Sequence, residues 1–150
     1  MKGLAPLLFL PALALCQTNL QFQDGRPGEV PPGWFVLGDT KSSGYTASWQ
    51  TEGCHTAQPC ELLAAPGNPT PESFGTLMES FPALPFRGKA VRLRAWIRLD
   101  RKTPDDRAQM LLHVARPNLL PGFTDHMANR PIVTGEWGKY EIRGVVAPDA

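Results

Sequence analysis

The sequence predicts an all-β fold, an antiparallel β-sandwich of jelly-roll type, and three observations carry that expectation. Within residues 86–100 the chain alternates strictly: Val91, Leu93, Ala95, Ile97 and Leu99 are apolar, while Arg92, Arg94, Trp96 and Arg98 are charged or amphipathic. Period two over this length is a β-strand with one buried face and one wet face. Strands of that kind belong to antiparallel sheets, because all-parallel sheets are covered on both sides. The second observation is that 16 prolines and 14 glycines punctuate short apolar segments without forming a repeat, which favours many short strands over long helices. The third is the lack of any convincing amphipathic helical pattern, which leaves about eight or nine strand-like segments.

In chain order, residues 1–16 (Met-Lys-Gly-Leu-Ala-Pro-Leu-Leu-Phe-Leu-Pro-Ala-Leu-Ala-Leu-Cys) read as a secretory signal peptide. Lys2 supplies the positive start, and residues 4–15 form an apolar core of signal length. The core is too short to span a membrane, so no transmembrane segment is expected. Cleavage after Ala14 or Cys16 fits the small-residue pattern, and Cys16 also permits a lipoprotein signal in which that cysteine is lipidated. The mature chain is expected to be exported, periplasmic or extracellular, as a single domain over residues 17–150.

Residues 19–22 (Asn-Leu-Gln-Phe) predict a first short strand, followed by a turn cluster at 24–28. Pro31, Pro32 and Gly33 lead into a strand at 34–37. Tyr45, Ala47 and Trp49 alternate with Thr46, Ser48 and Gln50 as another half-buried strand. An apolar run covers 60–65, and the proline-rich stretch 66–71 excludes regular structure. Residues 74–81 predict a strand of ambiguous facing. After the central strand, 101–107 is a charged turn, and 109–116 returns with Met110, Leu112 and Val114 inward, pairing with the central strand as a hairpin. Residues 117–131 form a long loop, a place where function concentrates. Residues 137–146 alternate again, with Tyr140, Ile142 and Val146 inward and Lys139, Glu141 and Arg143 outward.

Composition narrows the function. Without Lys2 the chain holds 14 basic and 14 acidic residues, so it lacks the cationic footprint of a general nucleic-acid binder. Cys54 and Cys60 flank a short segment containing His55. A disulfide, two free thiols or a metal site are the alternatives; the first suits an oxidising compartment, and the last needs further ligands. No nucleophile elbow, zinc-protease motif or phosphate-cradling loop is present, so the chain is expected to be non-catalytic. Asp105 and Asp106 read as turn residues.

The outward face of the central strand has more chemical content. An exposed Trp96 can stack on the apolar face of a sugar ring, while Arg92, Arg94 and Arg98 supply donors for hydroxyls or carboxylates. Lys139 and Arg143 extend this basic surface if the last strand lies nearby. His113, expected beside the arginine row, and Asp125 and Arg130 in the long loop complete the candidate ligand-binding residues. The competing expectation covers Trp96 with a neighbouring loop or domain, the arginine stems packing along it. Trp34, Trp49 and Trp137 are expected to serve as core or rim packing.

Three segments carry a family resemblance: residues 19–22, the Pro32-Gly33-Trp34 step, and Phe86-Arg87-Gly88-Lys89-Ala90-Val91-Arg92-Leu93-Arg94-Ala95. The chain resembles the carbohydrate-binding-module-like, galactose-binding-like jelly rolls. Through residues 122–132 and 136–142 it is similar to the N-terminal β-sandwich domain of some bacterial S41-type peptidases and related exported hydrolases. This resemblance covers residues 19–150 and implies a module that binds carbohydrate or another cell-surface polymer, or an accessory domain packed against an adjoining catalytic domain. Such modules place an acidic residue after the first strand, where it joins a structural calcium site. Here Gln23 holds that position and Asp24 follows, making Asp24 the only calcium candidate. The family also closes its sheet with a strand beyond the segment matching 145–150, so the resemblance implies a sandwich lacking its last strand.

Overall fold

The computed structural model describes residues 18–37, 42–70 and 73–150. The expected signal peptide and the lipidation candidate Cys16 lie outside the described residues. Eight strands appear among them: β1 (Trp34–Val36), β2 (Thr46–Gln50), β3 (Cys60–Ala64), β4 (Leu77–Glu79), β5 (Ala90–Ile97), β6 (Leu112–His113), β7 (Thr124–Asp125) and β8 (Gly138–Val145). Helix is scarce among the described residues, chiefly two short 3-10 turns at Leu84–Phe86 and Pro117–Leu119, consistent with an all-β chain. The strands pair as four antiparallel two-stranded ribbons, β1 with β4, β2 with β3, β5 with β8 and β6 with β7.

The longest ribbon joins the two segments whose alternation is clearest. Its register sets Leu93 opposite Ile142 and Ala95 opposite Tyr140 on one face, and Arg94 opposite Glu141 and Trp96 opposite Lys139 on the other. Apolar side chains of the first face meet Met110, Met127 and Ile132, with Ile132 and Ile142 wholly buried. The segments that supply this opposite wall are themselves stitched together. Ala108 and Ile132 exchange two backbone hydrogen bonds, and the Val114 amide donates to the Phe123 carbonyl. Gly144 takes an inward position of β8 because Phe123 lies across it; a β-carbon there would stand 2.6 Å from the ring. On β2, Ala47 and Trp49 are buried. The Trp49 indole Nε1–H donates to the Phe22 carbonyl at 2.7 Å, and the ring passes close enough to Gly25 to exclude any side chain at that position.

Three expectations are corrected. Residues 19–22 form a turn instead of a strand: the Phe22 amide donates to the Asn19 carbonyl, and Phe22 has φ of 53°. Asn19 explains this, since its side chain donates to the Asp24 and Pro32 carbonyls and accepts from the Asp24 amide. Such side-chain bonds compete with a strand ladder. The hairpin between the central strand and 109–116 is not formed. β5 pairs along its whole length with β8, while β6 is two residues long and pairs with β7. An eight-residue register with matching inward apolar residues on both strands outweighs a short local closure. Residues 74–81 contract to β4.

Candidate functional site

The outer face of the β5–β8 ribbon gathers the sequence-predicted residues Arg92, Arg94 and Trp96, continued by Arg98 just beyond β5. Cross-strand neighbours share a face, so the register adds Arg143 beside Arg92, Glu141 beside Arg94 and Lys139 beside Trp96. Glu141 is the hub. The Nε–H of Arg94 donates to its Oε2 at 2.6 Å, Arg143 donates to Oε1, and the Arg92 Nε lies 3.7 Å from Oε2. Hydrogen bonds from Arg94 and Arg143 hold the Glu141 carboxyl down at a pKa of about 2. It is therefore anionic at any physiological pH.

One end of this face is aromatic. The His55 ring stacks on Trp96 with centroids 3.9 Å apart and planes 13° from parallel, and it meets Trp137 edge-on at 5.7 Å. The Arg98 guanidinium sits over the Trp137 ring, 5.3 Å from its centroid, within cation–π range. Arg98 also lies 3.8 Å from Asp100. The loop carrying His55 is closed by a disulfide between Cys54 and Cys60, and Cys60 opens β3. That short covalent loop positions the imidazole. Even with His55 against it, Trp96 remains 48% exposed. Trp137 is half-buried within this cluster, while Trp34 donates its Nε1–H to the Asn19 carbonyl and packs against Phe22.

The remaining predicted residues lie on other elements. His113, on β6, shares a 2.7 Å hydrogen bond with the Thr124 hydroxyl of β7; strand pairing does not set it beside the arginine row, correcting that placement. Asp125 pairs with Arg130 at 2.5 Å and accepts from the Met127 amide, which lowers its pKa, the Arg130 bond contributing most. These contacts shape the turn after β7. Asp24 is engaged with Asn19 through its backbone. Among the described residues no group of three or more His, Cys, Asp or Glu is placed to hold a metal. No helix among them is long and apolar enough to cross a membrane.

Two residues were not legible as parts of this face. Glu141 becomes its hub only once β8 is known to pair with β5. His55 joins through the disulfide loop, whose sole sequence signal is its position next to Cys54. Glu61 stands opposite Trp49 in the β2–β3 register. Both of its carboxyl oxygens are buried without a protein hydrogen-bond partner, and burial pushes its pKa up to about 7. Two surface hollows, one lined by Arg101, Lys102, Thr103 and Pro104 and one by Gly25, Arg26, Glu29, Val30 and Pro32, include no residue of the arginine–tryptophan face. The chain matches no protein-family model, no curated protein and no solved structure.

Proposed function

We propose that this chain is an exported, non-catalytic β-sandwich module of jelly-roll type that binds carbohydrate or another extracellular polymer through the Trp96 face. The observation that carries this reading is the half-exposed Trp96 indole at the end of a row of outward arginines. An indole that stays this accessible beside hydrogen-bond donors suits a sugar ring, whose faces are apolar and whose edges are polar. The Cys54–Cys60 disulfide supports export, since such bonds persist in oxidising compartments.

The test is retention on a panel of insoluble polysaccharides. Wild type is expected to be depleted from solution by at least one, and Trp96→Ala is expected to stay in the supernatant with its melting temperature nearly unchanged. Retention that survives Trp96→Ala refutes the reading.

A second reading is favoured by exposed apolar residues on the β5–β8 ribbon and on β3. Leu62 and Leu63 of β3 and Val145 of β8 are exposed, as a surface covered by another domain would be. In this reading the chain is an accessory domain packed against an adjoining hydrolase, of the S41-type peptidase class. It predicts that no polysaccharide binds, and that the isolated chain associates with such a catalytic domain in a Trp96-dependent way.

A further inference from the structure

From the charges on the ribbon's outer face, we infer that the polymer is a uronate-type polysaccharide bearing carboxylates, its rings stacked on Trp96 and its carboxylates paired with Arg92, Arg94, Arg143 and Lys139. This rests on the binding reading above and goes further by fixing the class of ligand. The outward positions of β5 and β8 are Ala90, Arg92, Arg94 and Trp96 against Val145, Arg143, Glu141 and Lys139. Four of these eight are cations and one is an acid, in a chain whose total charge is +1. The imbalance is therefore local to this face.

The arginines are arranged for carboxylates, not merely placed near one another. The hydrogen bonds of Arg94 and Arg143 to Glu141 both run through Nε, and among the described residues neither guanidinium makes another. Their terminal amino groups are left for an incoming acceptor, and guanidinium forks match the planar geometry of a carboxylate. Glu141 shows that the cluster already accepts one carboxylate. Side-chain exposures of 48% for Arg92, 43% for Arg94 and 74% for Arg143 leave them within reach of solvent-borne ligand. Arg92 and Trp96 are four residues apart along one strand, about 13 Å at the usual rise, so one sugar cannot use both ends. A chain of acidic sugars can, stacking at the indole and pairing further along.

The experiment titrates the protein with polygalacturonate and with its methyl ester, which keeps the sugar backbone and removes the charge. Polygalacturonate is expected to bind at least about tenfold more tightly than the ester, and to weaken steeply as sodium chloride rises from about 0.05 to about 0.5 M. Arg92→Gln/Arg143→Gln, which keeps the Arg94–Glu141 bond, is expected to lose about tenfold on polygalacturonate with no change on the ester. Near-UV circular dichroism of that variant should match wild type, as both side chains are exposed. Trp96→Ala is expected to lose both ligands. Equal binding of polygalacturonate and ester, or binding confined to neutral polysaccharides, overturns the charge inference while leaving the Trp96 reading intact. Failure of every polysaccharide to bind overturns both.

Discussion

Glu61 and Glu141 are two glutamates on two ribbons, and their surroundings drive them in opposite directions. Glu141 is held ionised by Arg94 and Arg143, so its folded pKa of about 2 lies below the ordinary 4.5. The stability it contributes is complete above pH 4.5 and is lost as pH falls toward 2. Glu141→Gln should flatten that acid limb of a stability–pH curve measured by urea unfolding. Glu61 is a half-buried residue whose carboxyl oxygens are buried without hydrogen-bond partners, and its folded pKa is raised to about 7. The folded state then holds a proton the unfolded chain has released, so stability falls as pH rises from 4.5 to 7 and stays low above. Glu61→Leu is expected to remove this decline and to stabilise the protein by about 1–3 kcal/mol at pH 8, since an unpaired buried charge is replaced by an apolar side chain. The opposite slope below pH 7, or a loss of stability on substitution, would count against this account of Glu61. In the core, Ile142 is wholly buried, and Ile142→Ala should cost about 2–5 kcal/mol in the same assay.

At the scale of elements, the Cys54–Cys60 loop ties β3 to the aromatic end of the β5–β8 ribbon. Closing so short a loop constrains the unfolded chain, and replacing both cysteines with serine should cost roughly 2 kcal/mol. The substitution should also free His55 from Trp96, raising acrylamide quenching of tryptophan fluorescence; unchanged quenching would show that the stacked imidazole is held by other contacts. The same ribbon shows what was legible beforehand. Alternation in β5 and β8 told which side chains face inward, because that is a local property of each strand. The partner of β5 was not legible, since pairing is decided by registers between segments some fifty residues apart in sequence. Residues 109–116 had the right inward pattern, yet Met110 and Leu112 meet the ribbon through the core and the Val114 amide bonds to Phe123, not to β5. Residues 19–22 failed for the reverse reason: the side chain of Asn19 captured its own neighbours' backbone before a ladder could form.

Over the whole molecule, four ribbons leave several strand edges without a paired neighbour among the described residues. Exposed edges and exposed apolar residues such as Leu62 and Val145 are the common routes to self-association. The single basic face stands out against this background because the chain's charges otherwise nearly cancel. A binding role places ligand on that face and nowhere else. The most direct measurement is a nitrogen-15 chemical-shift map of the folded protein during titration with polygalacturonate oligomers. The account predicts that the Trp96 indole Nε1–H and the amides of residues 92–98 and 139–143 shift together and saturate, with the β1–β4 ribbon unmoved. Saturating shifts that fall outside the β5–β8 ribbon, or no shifts with any oligosaccharide, would contradict it.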